Sequence, residues 1–386
     1  MEKSEMKKTL VALAALATVG AAFAQSSVTL YGRIDASVAN NKTTTTTPGG
    51  VATVSDGGTL IQSGANTGSR WGMRGTEDLG GGLSALFQIE SGFAADTGAS
   101  GQGGLLFGRQ AFAGLSGGFG TITLGRQYDI IDNGYKYDPS GYGGYGAMNY
   151  VFNSAVNFNA AGAATGLATG FAGCATGLVT GGGAAATVAP GIAVGTGDCR
   201  GRQNNSVMYA TPDLGGFSGR FMYAPGENRV PGVSGAGRVY GLLGGYDNGP
   251  MSFSAAWQSS KVGSGAPATT NYAIGGSYDF TVVKAFLQFE GGKNKTNAEK
   301  DNGYELGLSA PVGAATLMAS YAHENQNVGG VKFASVKGYH LEAKYPLSKR
   351  TYVYAAYLNG RNNATAASGL SSVKQQNYGL GLVHNF

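Results

Sequence analysis

Alternation with a period of two dominates this chain. Across positions 69–93, SRWGMRGTEDLGGGLSALFQIESGF, Trp71 and Met73 fall on one face of a first strand and Arg70, Gly72, Arg74 and Thr76 on the other. After a tight turn at 78–82, Leu83, Ala85, Phe87 and Ile89 share a face, with Gln88 and Glu90 opposite. Positions 27–39 repeat the pattern: Val28, Leu30, Ile34, Ala36 and Val38 oppose Thr29, Tyr31, Arg33, Asp35 and Ser37. LLFGRQAFAGLSGGFGTITLGRQYD predicts another hairpin, turning at 117–120. Alternation over strand-length runs predicts a sheet with one apolar and one polar face.

The connections fix how many strands there are. Short turns rich in Asp, Asn, Gly and Pro recur at 211–216, 246–250, 279–281, 311–313 and 346–350, supplying the dihedrals tight turns need. Longer polar segments lie at 40–67, 94–104, 130–201, 226–237, 261–270, 292–302, 324–334 and 360–373. With the two earlier turns, seven short connections alternate with eight long ones, which predicts sixteen strands with both termini on the short-turn side. The expected fold class is therefore all-β: a 16-stranded antiparallel transmembrane β-barrel. Closure leaves no unpaired edge in lipid, and a barrel of this size encloses an aqueous channel. The final strand, QQNYGLGLVHNF, sets Tyr378, Leu380, Leu382, His384 and Phe386 on one face.

Composition agrees. Charged residues are 13% of the chain, about half the ~25% of ordinary soluble domains. Glycine, 68 of 386 residues, is more than double its usual ~7%. Tyr and Phe together number 38 against two Trp. Disorder is the alternative for a glycine-rich chain, and the sustained alternation argues against it. At the N-terminus, Lys7 and Lys8, an apolar run over 10–23 and Ala22-Phe23-Ala24 read as a signal peptide spanning 1–24, with Met6 as an alternative start. The mature chain, 25–386, is then an exported single domain with no apolar run near the ~20 residues of a membrane helix. Loss of three lysines and two glutamates with the signal lowers the net charge from +5 to +4, too little to argue for nucleic acid.

Beyond position 129 the alternation lapses. The first part of 130–201 is rich in Tyr, Gly and Asp and is expected to be an ordered loop; 160–201 is a Gly/Ala/Thr-rich insertion carrying both cysteines, Cys174 and Cys199. In an exported chain two cysteines are expected to form one disulfide, with free thiols or metal ligation as the lesser alternatives. There is no CxxC, the three histidines, His323, His340 and His384, are scattered, and nothing calls for a cofactor or a metal.

VTLYGRIDA at 28–36, SRWGMRGTEDLGGGLSALFQIESGF, FGRQAFAGLSGGFGTITLGRQYD and the terminal YGLGLVHNF carry a resemblance to the trimeric general porins of Gram-negative bacteria, especially the β-proteobacterial branch. The resemblance covers essentially the whole mature chain. It implies a homotrimer in the outer membrane, in contact with lipid and lipopolysaccharide. It also implies a third long loop folded inward to narrow each pore, and a terminal Phe386 read by the barrel assembly machinery. The insertion after Tyr150 departs from the family pattern.

A passive pore needs a constriction and charges that set the sign of its field. Arg33, Arg70 and Arg74 each oppose the apolar set of their own strand. An arginine facing lipid at mid-membrane costs ~2–4 kcal/mol, so these are expected in the lumen. The resemblance places Arg33, Arg70, Arg109 and Arg202 in the basic wall of the pore by motif position. It also implies acidic residues on the third loop, for which Asp129, Asp132 and Asp138 are the candidates, with turn-stabilising aspartates as the alternative. Arg126 shares the apolar face with Ile122 and Leu124; a subunit interface would relieve its cost in lipid. Five basic groups against few acidic ones predict a weak to moderate anion preference.

Gly114-Leu115-Ser116-Gly117-Gly118 satisfies G-x-S-x-G, but a nucleophile elbow needs a strand-to-helix turn and this one joins two strands. No enzymatic role is expected. The rival readings are a substrate-specific channel, for which the tyrosines at 135, 137, 142 and 145 are the hint, and a barrel plugged by the 160–201 tract.

Overall fold

The computed structural model describes residues 27–141, 143–152, 155–158, 164–168, 201–226, 238–261, 269–294, 299–365 and 371–386. The expected signal peptide, Tyr142 and the Cys174–Cys199 pair fall outside them. The chain opens with β1 (Ser27–Thr46), β2 (Ala52–Ser63), β3 (Arg70–Gly80), β4 (Leu83–Gly92), β5 (Gln110–Gly117) and β6 (Gly120–Tyr128). Two short helices follow, α1 (Ile130–Gly134) and α2 (Ala147–Phe152), and then a small separate hairpin, β7 (Ala155–Phe158) and β8 (Ala164–Ala168). The remaining strands are β9 (Arg202–Ala210), β10 (Phe217–Ala224), β11 (Arg238–Asn248), β12 (Met251–Lys261), β13 (Thr269–Asp279), β14 (Lys284–Asn294), β15 (Glu299–Val312), β16 (Ala315–Val328), β17 (Val331–Pro346), β18 (Thr351–Ala364) and β19 (Ser372–Asn385).

Every ladder in the large sheet is antiparallel, and β1 pairs with β19, so the sheet closes. On its other edge β1 meets β3 through residues 27–33 and β2 through residues 36–46. Strands β2 and β3 therefore share one position in the ring, and the barrel has sixteen positions. Its exposure is the inverse of a soluble protein. Leu30 and Leu380 are 61% and 67% exposed, while Asp35 and Glu305 are fully buried. The apolar face of each strand is thus the outer, lipid-facing one. On it, ring centroids of Tyr321 and Tyr339 lie 4.8 Å apart, with Tyr304 joining them to Phe289. Tyr240, Tyr272 and Tyr339 are each followed six positions later by Tyr246, Tyr278 and Tyr345. That spacing is about 20 Å along a strand, which sets two aromatic girdles around the apolar band.

Several expected loops are strand instead. Positions 40–46 and 52–63 form a hairpin within the expected 40–67 loop, and β16 and β17 continue through 324–334 to a two-residue turn at Gly329-Gly330, with φ of +59° and +83°. These tips carry polar residues on both faces, so no alternation marks them. Their backbone ladder and threonine's strand preference hold them extended, and two consecutive positive-φ glycines close a hairpin of primed type.

The segment 129–152 packs on the face of the sheet opposite the apolar outer one. Helix α1 lies against β10–β13 and α2 against β15–β18. Ile130, Ile131, Met148, Val151 and Phe152 make a buried apolar cluster with Met222, Ala256, Ala273, Ala322 and Val336. Each of the five loop side chains contributes roughly 1.5–3 kcal/mol on burial, which offsets the entropy of ordering an irregular segment. Small wall residues allow the approach. A Cβ on Gly360 would stand 2.6 Å from Tyr150 Cε2, and one on Gly275 3.2 Å from Tyr137 Cγ.

The break between β2 and β3 holds the other end of this segment. The carbonyls of Ala65 and Asn66 accept from Tyr145 N (3.0 Å) and Gly144 N (3.2 Å). Asp35 fixes the break in turn: Oδ2 accepts from Asn66 N (2.9 Å) and Thr67 N (2.7 Å), and Oδ1 from the Tyr354 hydroxyl (2.7 Å). Burial pushes the Tyr145 phenol up to about 12, so it stays a neutral donor to Asn41 Oδ1 at 2.6 Å.

Candidate functional site

Strands β1, β3, β4 and the approach to β5 turn their polar faces to one cavity of about 430 Å³. Arg33, Arg70, Arg74 and Arg109 line it together with Glu90 and Tyr128. Arg33 reaches it from β1, where Nε donates to Asn385 Oδ1 (2.6 Å) and Nη1 to Thr67 Oγ1 (3.2 Å). Arg109 is held from two sides: Nε donates to Glu90 Oε1 at 2.5 Å and Nη2 to the Tyr128 hydroxyl at 2.7 Å. Arg202 stacks its guanidinium 4.4 Å from the centroid of the Tyr128 ring and also donates to that hydroxyl, at 2.7 Å. Tyr128 thus joins Arg109 to Arg202, and the five arginines singled out from sequence form one continuous patch. Arg74 stands with its guanidinium 5.2 Å from the centroid of the Tyr31 ring.

The loop aspartates are placed elsewhere. Asp129 caps α1, accepting from Asp132 N (2.8 Å) and from Gln258 Nε2 (3.1 Å), and it is buried. Asp138 is buried too and accepts from Ser140 N and Oγ, both at 2.7 Å. Asp132 stands half-buried in the first turn of α1. None of the three lines the arginine cavity; Asp129 and Asp138 satisfy the segment's own turns. Lys136, between them, pairs with Asp247 on β11 at 3.1 Å.

Arg126 keeps its outward parity beside Ile122 and Leu124. Its guanidinium finds neutral hydrogen-bond partners within the chain. A register shift sets it against Asn204 and Asn205, the latter with φ +52°; Nε donates to the Gly108 carbonyl (2.8 Å) and Nη1 to Asn204 Oδ1 (2.5 Å). These contacts hold the guanidinium in place within the chain, on the face where a subunit contact was expected. Phe386 lies on the outer face, its ring over Gly32, and its backbone pairs with that residue at 3.0 and 3.1 Å.

From sequence, Glu90 falls on the polar face with no part assigned to it in the pore, and the acidic residues of the far strands are not singled out. Glu90 lies within the arginine patch. Buried Glu290, Glu305, Glu324 and Glu342 sit on the far strands, β14–β17. The Tyr135 hydroxyl bonds Glu290, and Asn66 bonds Glu342. His340 Nε2 and Lys344 Nζ stand 3.3 and 3.4 Å from the Glu342 carboxylate. The signal was present: Glu305 precedes outward Leu306, and Glu342 follows outward Leu341, the parity used for the arginines.

Residues 9–365 match the profile of the family described as Gram-negative porin. An outer membrane porin protein of Bordetella pertussis is 34% identical over 99% of this chain and all of its own length. Outer membrane porin protein 32 of Delftia acidovorans is 36% identical over 93% of this chain and 92% of its own. Among solved structures, an anion-selective porin from Comamonas acidovorans superposes with a TM-score of 0.68 at 28% identity, covering 94% of this chain and all of that one. OmpT of Vibrio cholerae in a trimer form, at 15% identity and a TM-score of 0.58, shares the fold alone. A closed sixteen-position barrel, apolar outside and charged within, together with this similarity along nearly its whole length, makes the chain a member of the Gram-negative porins, channel-forming barrels of the outer membrane.

Proposed function

We propose that the chain is a general diffusion channel for small hydrophilic solutes and ions. Its narrow zone lies between the arginine wall and the segment 129–152, which folds into the lumen, and it prefers anions weakly to moderately. The observation that carries this reading is the convergence of Arg33, Arg70, Arg74 and Arg109 on one cavity with a single side-chain carboxylate, Glu90. Fixed guanidinium groups at a constriction lower the entry barrier for anions and raise it for cations. The effect fades as salt screens it, with a Debye length of about 10 Å at 0.1 M. The Comamonas relative, described as anion-selective, agrees in sign.

The assembly proposed is a homotrimer embedded in outer-membrane lipid and lipopolysaccharide, inserted by the barrel assembly machinery through β19 and Phe386. The trimer form of the Vibrio barrel supports the first point. The test is the reversal potential of the purified protein in a planar bilayer under a salt gradient. Anion-favouring potentials are expected, with a shift toward cations in Arg70→Gln and Arg109→Gln. Cation-favouring potentials in the wild type, or no shift in either variant, would remove these residues from the constriction.

A further inference from the structure

We propose that Glu90 sets the strength of the pore's anion preference, holding it below what the arginine wall would otherwise impose. This rests on the reading of the wall given above. Glu90 is buried on the polar face of β4. Oε1 accepts from Arg109 Nε at 2.5 Å, and Oε2 stands 4.0 Å from Arg70 Nε and accepts from the Tyr31 hydroxyl at 3.0 Å. That hydroxyl in turn accepts from Gln88 Nε2 at 2.7 Å, and Arg74 rests over the same ring. One carboxylate thus touches two of the cavity's arginines and reaches a third through Tyr31.

Two consequences follow from electrostatics. Glu90 cancels one of the four guanidinium charges lining the cavity, so a passing anion meets a weaker field. It also keeps the site from becoming a trap, since conduction requires that an ion leave as readily as it enters. Removing the charge therefore raises selectivity and slows anion exit together. One unit charge felt at ~10 Å, through a screening length of ~10 Å and an effective dielectric between 20 and 80, changes the anion-to-cation permeability ratio by roughly twofold to eightfold.

The test measures reversal potentials and conductance against chloride concentration for Glu90→Gln and Glu90→Asp. In E90Q the permeability ratio is expected to rise by that factor in 0.1 M salt and to converge on the wild type in concentrated salt. Its conductance is expected to saturate at lower chloride concentration. E90D, which keeps the charge, is expected to stay near the wild type. Should E90Q not form channels, the double variant Glu90→Gln/Arg109→Gln removes one charge of each sign and is expected at the wild-type ratio; a double variant far from that ratio overturns the proposal. A wild-type channel favouring cations overturns the wall reading itself. An anion-favouring wild type with an unchanged E90Q ratio overturns the role of Glu90 alone, as does an E90D shift equal to that of E90Q, which would assign the effect to packing.

Discussion

Gly360→Ala tests whether the segment 129–152 is seated as described. Gly360 lies on β18 directly beneath Tyr150, and the added Cβ would stand 2.6 Å from Cε2 and closer still to two other ring atoms. Tyr150 is 4% exposed and sits in the buried cluster of α2, so its ring cannot swing aside without moving the helix. Inserting a methyl into such packing costs typically ~1–3 kcal/mol. With each 1.4 kcal/mol worth a factor of ten, the population in which α2 has left its seat rises about 5- to 150-fold. Single-channel recordings should show this as more frequent transitions between conductance levels and greater open-channel noise. Gly244→Ala is the control, since among the described residues no atom beyond its own chain neighbours lies within 4 Å of its Cβ position. Alanine there is neutral or stabilising by up to ~0.5–1 kcal/mol through the smaller backbone entropy it loses. In the double variant Gly360→Ala/Tyr150→Ala the clash is absent, so the two effects should be non-additive, with the second change costing less than it does alone. If Gly360→Ala matches the wild type in conductance, noise and thermal midpoint, Tyr150 does not rest on β18 and the seat is wrong.

Two further changes probe the frame around the pore. Asp35→Ala strips the acceptor from Asn66 N, Thr67 N and the Tyr354 hydroxyl. Buried groups left unsatisfied cost ~1–3 kcal/mol each, so a lower thermal midpoint and new proteolytic cleavage within 64–69 are expected; an unchanged digestion pattern would show that another group holds the break. Gly32→Val collides with the Phe386 ring, whose Cε2 and Cε1 would lie 2.6 and 2.8 Å from the new Cβ. Slower closure of β1 on β19 is expected, read as a smaller heat-modifiable folded fraction on gel electrophoresis after refolding. A wild-type folded fraction would mean that this contact does not contribute to closure.

The barrel was legible because lipid imposes a strict rule on each spanning strand. An outward position must be apolar and its neighbours need not be, so Leu380 and Leu382 announce the face and Val383, the next residue, is buried within. Where lipid ends, the rule ends. Positions 40–46, 52–63 and 324–334 are paired strands that read as loops, because polar residues stand on both of their faces. The arginine patch was legible for the same reason as the barrel: Arg33, Arg70 and Arg74 each oppose an apolar set. Its partners were not, because pairing across the ring is long-range. Glu90 and Arg109 are nineteen positions apart but face each other only through the β4–β5 register. Asn66 and Glu342, 276 positions apart, meet only because the barrel closes. The hydrogen-bond partner of Arg126 was hidden for a related reason: Asn204 reaches it only because β9 slips by one residue there, which no pattern in β6 records.

The net charge of the chain is therefore a poor guide to the sign of the pore. Lys136 meets Asp247, Lys344 meets Glu342 and Arg109 meets Glu90, each within 4 Å; at a distance of one Debye length these pairs are nearly neutral dipoles. Arg33, Arg70 and Arg74 differ. Their hydrogen bonds and stacking go largely to neutral groups, Asn385, Thr67 and Tyr31, and among the described residues the only ion-pair contact of the three is Arg70 to Glu90 at 4.0 Å. Neutral partners fix a guanidinium in place without cancelling it. A substitution that adds or removes charge on the hairpin tips should thus leave the permeability ratio where it is. One that replaces a neutral partner by a carboxylate, such as Thr67→Glu beside Arg33, should reduce the anion preference about as much as losing the arginine itself. Equal permeability ratios for Thr67→Glu and the wild type would mean that the field in the pore is set by groups other than these arginines.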